Sequence, residues 1–396
     1  MTGASINWNA LEWRNEQIGA FLDLDRNAQP APGVLSGVTF GVKANIMVRG
    51  LPFHAGLADF RHRIAERDAL VVKRLRDAGG VILGTLNMEE AALGSKCDNP
   101  HFGAVQNPHR IGWSPGGSSG GSGAAVAAYL CDAALGTDTM GSIRIPASHC
   151  GVYGFKPANS RVSQDGLEPA DLMFDAIGPM ARDLDLLERI VSIMSDMGNG
   201  TDDLEGAVLV DHGVTVDPEV TRIFERALAE LRQQPAAVKL DHPNSRIRFA
   251  GFIQVARAMF AHLERVAGLS PHLQRLLAYG PERSAEKWQQ DRAVLEQTRQ
   301  QVQDIVTRFG WLFLPTVPNL PFPHSQAEPP AQADFTCLAN IAGLPSLSLP
   351  AGWSNNGLPV GVQIIARSGY EAGLFALARD LDQRLGAYHA PQIQGV

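Results

Sequence analysis

Cysteine is scarce in this sequence, and its spacing excludes two kinds of cross-linked small domain. The chain of 396 residues has 4 cysteines, and none of them forms a C-x-x-C pair. Neither a disulfide framework nor a structural zinc site is therefore indicated. We interpret the four side chains as buried thiols, and we expect the protein to use no metal ion and no organic cofactor.

Blocks of positive charge and long apolar runs are also missing. Lys and Arg number 34 against 41 Asp and Glu, for a net charge of -7, and no basic cluster occurs. Because nucleic acids and anionic membranes attract concentrated positive charge, we expect neither to be a partner. The first residues do not resemble a signal peptide, and no run is long enough to span a bilayer. We expect a cytoplasmic enzyme acting on a small molecule, with a homodimer as the default assembly.

The distinctive stretch runs from Ser114 to Pro146. It contains two glycine–serine clusters around a helix-like run of small residues from Gly123 to Leu135. Glycine allows positive φ and close approach of another molecule, so serines in this setting suit a nucleophile or an anion cradle. The stretch matches neither G-x-G-x-x-G nor the P-loop pattern, which argues against nucleotide binding.

One alternative for this stretch is the nucleophile elbow of α/β-hydrolases. Gly116–Gly120 satisfies G-x-S-x-G, but the elbow needs a buried strand before the first glycine. The preceding NPHRIGWSP has prolines and no apolar alternation. His324 is a poor candidate for the histidine that such an enzyme needs, because it lies in a proline-rich loop. A purely structural glycine-rich loop is the other alternative.

Lys43 is the second unusual feature. It lies in GVTFGVKANI, Gly37 to Ile46, which alternates like a strand entering the core. An ammonium held there loses hydration, so its pKa should fall. The competing interpretation is a lysine at a strand end whose head group reaches solvent.

Helical and strand patterns alternate along the rest of the chain and indicate an α/β protein. Residues 200–310 are richer in Arg, Gln and Glu and predict a helical insert or cap. The predicted helices are Leu11–Leu24, Asp68–Ala78, one starting near Asp183, Pro218–Gln233, Phe249–Tyr279, Glu282–Phe309, Phe335–Ala342 and Tyr370–Leu385.

Three segments together carry a family resemblance. Lys43 in GVKANI, Ser118 in SPGGSSGGSGAAVAA and Ser142 in GTDTMGSIRIPA resemble the signature of the amidase signature family of serine amidases. The similarity covers roughly residues 15–195 and 311–385. It implies a mixed central β-sheet surrounded by helices, in a single domain over residues 1–396 with the insert at 200–310 inside it.

The resemblance implies that Ser142 is the nucleophile, that Ser118 relays the proton after a cis peptide bond following Gly117, and that Lys43 is the general base. A serine hydroxyl needs an acceptor for its proton, and a desolvated neutral lysine supplies one without a histidine. The implied oxyanion hole consists of backbone N–H groups in the turn of Thr139, Met140, Gly141 and Ser142. The implied supporting residues are Gly117, Ser119, Asp138 and Arg144. Met140 replaces a glycine that is usual in the family, and we expect its side chain to narrow or line the acyl site.

The expected function is hydrolysis of a carboxamide, or of a urea-like or carbamoyl-like C–N bond, through an acyl-enzyme on Ser142. One alternative is a glutaminase component, of the A type, in a tRNA-dependent amidotransferase, and another is a catalytically silent scaffold of the same fold. Specificity is expected from the insert and from three loops, Lys96–His101, Leu167–Phe174 and Pro321–Pro330. Within the insert, five residues are either carboxylate ligands or solvated surface charges: Arg246, Arg248, Arg257, His262 and Arg265.

Overall fold

A mixed sheet of eleven strands forms the core of the protein. The computed structural model describes residues 6–195, 197–198, 200 and 205–392. From one edge of the sheet to the other, the strands lie in the order β1 Phe21–Leu24, β3 Val81–Leu86, β2 Thr39–Lys43, β6 Ala133–Asp138, β8 Ala176–Ala181, β7 Tyr153–Lys156, β12 Ser346–Trp353, β13 Pro359–Ala366, β11 Trp311–Pro315, β9 Ala207–Leu209 and β10 Ala236–Val238. The parallel pairs are β2 with β3 and β6, and β9 with β10 and β11, while the other pairs are antiparallel. The predicted α/β class with a mixed central sheet is confirmed.

A separate hairpin pairs β4 Asp98–Asn99 with β5 Gly103–Ala104. The helices are α1 Trp8–Ile18, α2 Leu70–Asp77, α3 Gly120–Ala127, α4 Arg144–His149, α5 Leu184–Met194, α6 Pro218–Ala229, α7 Asn244–Leu263, α8 Pro271–Glu282, α9 Ala285–Phe309, α10 Cys337–Ala342 and α11 Glu371–Leu385.

Helices cover both faces of the sheet, as the apolar character of β6 requires. Successive strand residues point to opposite faces, and Ala134 packs in the cluster that contains α3 whereas Leu135 packs in the cluster that contains α5. Every residue of α3 is buried. Its small side chains allow this: a Cβ on Gly121 would lie 2.3 Å from the carbonyl oxygen of Asn87. The Gly/Ala-rich sequence therefore brings the serine loop against the sheet.

Two predicted helices are shorter than expected, and a residue with positive φ follows each. The helix predicted over Leu11–Leu24 ends at Ile18, because Gly19 has a φ of 69°, and the chain continues as β1. The helix-like run Gly123–Leu135 divides into α3 and β6. Tyr129, with a φ of 56°, lies just beyond the end of α3. A left-handed residue cannot continue a right-handed helix.

The predicted insert at 200–310 is helical in its larger part, although residues 201–204 lie outside the described residues. It contains α6 to α9, and the helix predicted over Phe249–Tyr279 is two helices separated by a turn at Gly268. It also contributes β9 and β10 to one edge of the sheet, which the helical prediction missed. The single-domain boundary over 1–396 stays a prediction.

The four cysteines are free and buried. No helix in the described ranges is both long and apolar enough to cross a bilayer. The expected cytoplasmic location stays a prediction.

Candidate active site

Lys43 is the last residue of β2 and is completely buried. Its Nζ donates to Ser118 Oγ and to Thr137 Oγ1, both at 2.7 Å. Thr137 belongs to β6, which pairs with β2 in parallel, so the sheet itself sets this contact. Burial lowers the pKa of Lys43 from 10.5 to about 7, since an ammonium in this position has lost its hydration. The alternative of a lysine that reaches solvent is wrong.

Ser118 and Ser142 lie on neighbouring segments. Ser118 follows a cis peptide bond after Gly117 and precedes α3, while Ser142 lies in the turn between β6 and α4. The backbone N–H of Ser119 donates to the carbonyl oxygen of Ser142 at 3.2 Å, which joins the two segments. The chain as described contains no hydrogen bond between the two serine hydroxyls. Such catalytic contacts often tighten only when substrate is bound.

A buried carboxylate organises the turn that carries Ser142. Asp138 accepts hydrogen bonds from the N–H groups of Gly141 and Ile143, at 2.7 and 3.1 Å, and from Arg144 and Asn340. Burial alone would raise the pKa of Asp138, but the adjacent guanidinium and these donors lower it to about 2. Asp138 is therefore ionised at neutral pH and holds the turn through charge-assisted bonds.

Gly141 is required by the shape of this turn. Its φ is 137°, and a Cβ at this position would lie 2.2 Å from Thr336 Oγ1. The same threonine donates to the carbonyl oxygen of Met140 at 2.7 Å. Of the four predicted oxyanion donors, Gly141 already donates to Asp138. The N–H groups of Thr139, Met140 and Ser142 are the remaining candidates.

The hydroxyl of Ser119 forms its hydrogen bonds with the backbone of β6 and not with a group in the cavity. Its hydroxyl donates to the carbonyl oxygen of Thr137 at 3.1 Å and accepts from the N–H of Thr137 at 3.2 Å. Gly117 lies against another loop, since a Cβ there would be 2.9 Å from the Cα of Ser95. Both residues have the surroundings of supporting residues.

A cavity of about 420 Å³ opens beside Ser142. This volume is in the range of ligand pockets for small molecules. The lining combines polar and apolar side chains and includes Ser95, Met140, Ser142, Arg248, Phe249, Phe252, Tyr279, Glu328 and Gln332. The nucleophile candidate therefore faces a site with apolar walls and a few polar groups.

Arg248 is the one of the five charged insert residues that lines this cavity, within the described part of the chain. The others have different partners: Arg246 pairs with Asp291, Arg257 donates to the carbonyl oxygen of Gly280, His262 contacts Glu168, and Arg265 lies beside Glu264. Of the three predicted specificity loops, Pro321–Pro330 contributes to the cavity through Glu328 and Pro330. Lys96–His101 and Leu167–Phe174 are absent from its described lining.

Three residues near the reacting groups were missed by sequence reasoning. Thr137 contacts Lys43, and Glu328 and Gln332 line the cavity. Thr137 lies five positions before Ser142 in GTDTMGSIRIPA, and its place in that motif was the available signal. Nothing in the local sequence distinguishes Glu328 or Gln332 from other polar loop residues.

The mixed sheet, the buried lysine bonded to a serine and the second serine facing a cavity are the features expected of a hydrolase of the amidase class. A sequence model of the family described as Amidase matches residues 14–375. The chain belongs to the amidase family, and the resemblance to amidase signature enzymes is confirmed.

Relatives and solved structures agree on this family. The chain is 32% identical to the A-type subunit of glutamyl-tRNA(Gln) amidotransferase from Methanothermobacter thermautotrophicus, over 94% of this chain and 93% of the relative. The crystal structure of the corresponding protein from Thermotoga maritima superposes with a TM-score of 0.86 at 27% identity, covering 98% and 93% of the two chains. A crystal structure of an amidase gives 0.85 at 29% identity, covering 96% and 95%.

These relatives correct one expectation. From the absence of a basic cluster we expect no nucleic acid among the partners. That expectation is wrong, because the relatives are named as one subunit of a glutamyl-tRNA(Gln) amidotransferase. The default homodimer stays a prediction. Net charge averages over a whole surface, so it does not report on a tRNA that another subunit can hold.

Proposed function

We propose that this protein is a serine amidase that releases ammonia from a small primary carboxamide through an acyl-enzyme on Ser142. The observation that carries the proposal is the 2.7 Å hydrogen bond between the desolvated Lys43 and Ser118. A lysine whose pKa is about 7 is neutral in a large fraction of molecules at neutral pH. It can therefore accept a proton through Ser118 while Ser142 attacks the carbonyl carbon.

The steps of the proposed reaction balance without any further group. Ser142 Oγ forms the bond to the carbonyl carbon, and its proton passes through Ser118 Oγ to Lys43 Nζ. When the C–N bond breaks, the proton returns along the same path to the leaving nitrogen, which departs as ammonia. Water then attacks the ester carbonyl carbon, and its proton passes through Ser118 Oγ to Lys43 Nζ. The bond between the acyl carbon and Ser142 Oγ breaks as that proton returns to Ser142 Oγ, which releases the acid and restores the free enzyme. The oxyanion in both halves is stabilised by backbone N–H groups drawn from Thr139, Met140 and Ser142.

The finer proposal is that the ammonia serves a tRNA-dependent amidotransferase in which this chain is the A-type component. The support is the set of relatives with that name, at about 30% identity over nearly their whole length. The amide donor in this proposal is glutamine, and the tRNA is bound by partner subunits. This assignment also accommodates a chain without a basic patch.

The polar groups of the cavity suit an α-amino acid amide. Arg248 offers a guanidinium for a carboxylate, although it also pairs with Asp334 at 2.5 Å. Gln332 is 1% exposed, and its Nε2 donates to the hydroxyl and carbonyl oxygens of Ser95 at 2.9 and 3.3 Å. Its Oε1 has no hydrogen-bond partner among the described residues. A buried acceptor without a donor is costly, so together with the Glu328 carboxylate it suits a ligand ammonium.

A second candidate function is a stand-alone amidase for an apolar amide. The observation that favours it is the apolar wall of the cavity, which includes Met140, Phe249, Phe252 and Tyr279. Glutamine has no large apolar group to fill this space, whereas an aryl or alkyl amide has one.

The first experiment is labelling with a fluorophosphonate–biotin probe, followed by intact-mass spectrometry, on wild type, Ser142→Ala, Ser118→Ala and Lys43→Ala. One adduct that disappears in Ser142→Ala and forms more slowly in the other two supports the amidase. An adduct that survives Ser142→Ala refutes it, and no adduct on wild type supports a silent scaffold.

The second experiment measures ammonia release from L-glutamine and from hexanamide, with and without the partner subunits and glutamyl-tRNA(Gln). Glutamine turnover that rises in the complex, with amidated tRNA formed, supports the amidotransferase assignment. Hexanamide turnover by the isolated chain without glutamine turnover supports the stand-alone enzyme.

A further inference from the structure

Met140 joins the turn that carries Ser142 to the helical region. Its backbone is held from both sides, because its carbonyl oxygen accepts from Thr336 and the following N–H, on Gly141, donates to Asp138. Its φ is not positive, so alanine can replace it without left-handed backbone strain. The side chain lines the cavity. With the backbone fixed, changes at Met140 act on cavity volume more than on the turn.

The end of this side chain lies against a glycine in α7. A Cβ on Gly251 would be 3.0 Å from Met140 Cε and 3.6 Å from Met140 Sδ. Glycine in the middle of a helix is unfavourable relative to alanine, and α7 has 20 residues with Gly251 well inside it. Its neighbours Phe249 and Phe252 both line the cavity. The missing side chain at 251 thus leaves the space that the thioether uses.

We propose that Met140, seated against Gly251, is the specificity-determining residue that limits the size of the acyl group. The two positions are complementary in volume, although 111 residues separate them in sequence. The inference rests on the proposed function, because the cavity is the acyl site only if Ser142 is the acylated residue. A larger side chain at position 140 or 251 fills the space between them and shortens the acyl group that the cavity accepts. A smaller side chain at position 140 empties this space and admits a longer acyl group.

The test compares kcat/KM for p-nitrophenyl acetate and p-nitrophenyl hexanoate, which share a leaving group and differ in acyl length. Met140→Ala is expected to raise the hexanoate-to-acetate ratio about tenfold or more, since each methylene accommodated in an apolar pocket is worth about 10-fold. Gly251→Ala pushes the thioether into the cavity and is expected to lower the ratio. The double variant Met140→Ala/Gly251→Met refills the space from the helix and is expected to return the ratio towards wild type.

Met259→Ala is the matched control. This methionine is on the same helix, is 1% exposed and does not line the cavity in the described residues. It is expected to lower the melting temperature and to leave the acyl-length ratio unchanged, which separates a size effect from general loosening of α7.

The outcomes separate this inference from the function beneath it. An unchanged ratio in both Met140→Ala and Gly251→Ala overturns the inference alone, as does a double variant that behaves like Met140→Ala. If Ser142→Ala retains full esterase activity, the proposed function falls and the inference falls with it. Should Met140→Ala fold poorly, Gly251→Ala still decides, because alanine favours the helix.

Discussion

The hydroxyl of Thr137 contacts Lys43, the proposed general base, and its removal is expected to lower the pKa of that lysine. It accepts a 2.7 Å hydrogen bond from Lys43 Nζ, which favours the charged form of the lysine. A hydrogen bond to a charged group contributes about 1.5 kcal/mol or more, and this corresponds to about one pKa unit. Thr137→Val keeps the shape and deletes the acceptor, so the pKa of Lys43 is expected to fall from about 7 towards about 6.

The assay is the pH dependence of kcat/KM, which reports the pKa values of essential groups in the free enzyme. Because only neutral Lys43 accepts a proton, wild-type activity should rise about tenfold per pH unit below its pKa and level off above it. In Thr137→Val the ascending limb should move to lower pH, and Lys43→Met should lose about 10²-fold or more. Thr316→Val is the control: Thr316 is equally buried and bonds to Ser348 at 2.8 Å, and its limb should stay in place.

Two results would refute this reasoning. A limb that moves to higher pH in Thr137→Val would mean that the hydroxyl favours the neutral amine. A limb that is the same in wild type, Thr137→Val and Thr316→Val would mean that the titrating group is not Lys43. Asp175 is the alternative group, because burial raises its pKa to about 6. Asp175→Asn would then remove the limb.

Two further predictions concern the turn and the cavity. Asp138→Asn puts an amide against donors and leaves Arg144 buried without its partner, so it should lower the free energy of unfolding by about 3–5 kcal/mol and reduce turnover. Asp291→Asn, equally buried but paired with two arginines that do not line the cavity in the described residues, should lower stability and preserve turnover, as chemical denaturation and ammonia release would show. Gln332→Met should lower kcat/KM for L-glutamine about tenfold and leave glutaramate, which lacks the ammonium, unchanged. An equal loss with both substrates contradicts the ammonium assignment.

Features that depend on residues adjacent in the sequence were predictable from the sequence alone. The apolar alternation around Lys43 placed it in a strand that enters the core, and the small residues after Ser118 indicated a close-packed helix. The short segments around Lys43, Ser118 and Ser142 resemble the family that the comparisons identify. Each of these signals lies within a short window, because strand period, helix propensity and glycine conformations are local properties.

Contacts between distant segments were decided only by the tertiary structure. Thr137 meets Lys43 across 94 residues because the parallel register of β2 and β6 aligns them. Arg248 lines the cavity whereas Arg246, two residues away, pairs with Asp291, because neighbouring helix positions about 200° apart face different surroundings. Partner choice, burial and the pKa that follows from both depend on which surfaces the fold brings together, and no local pattern encodes that.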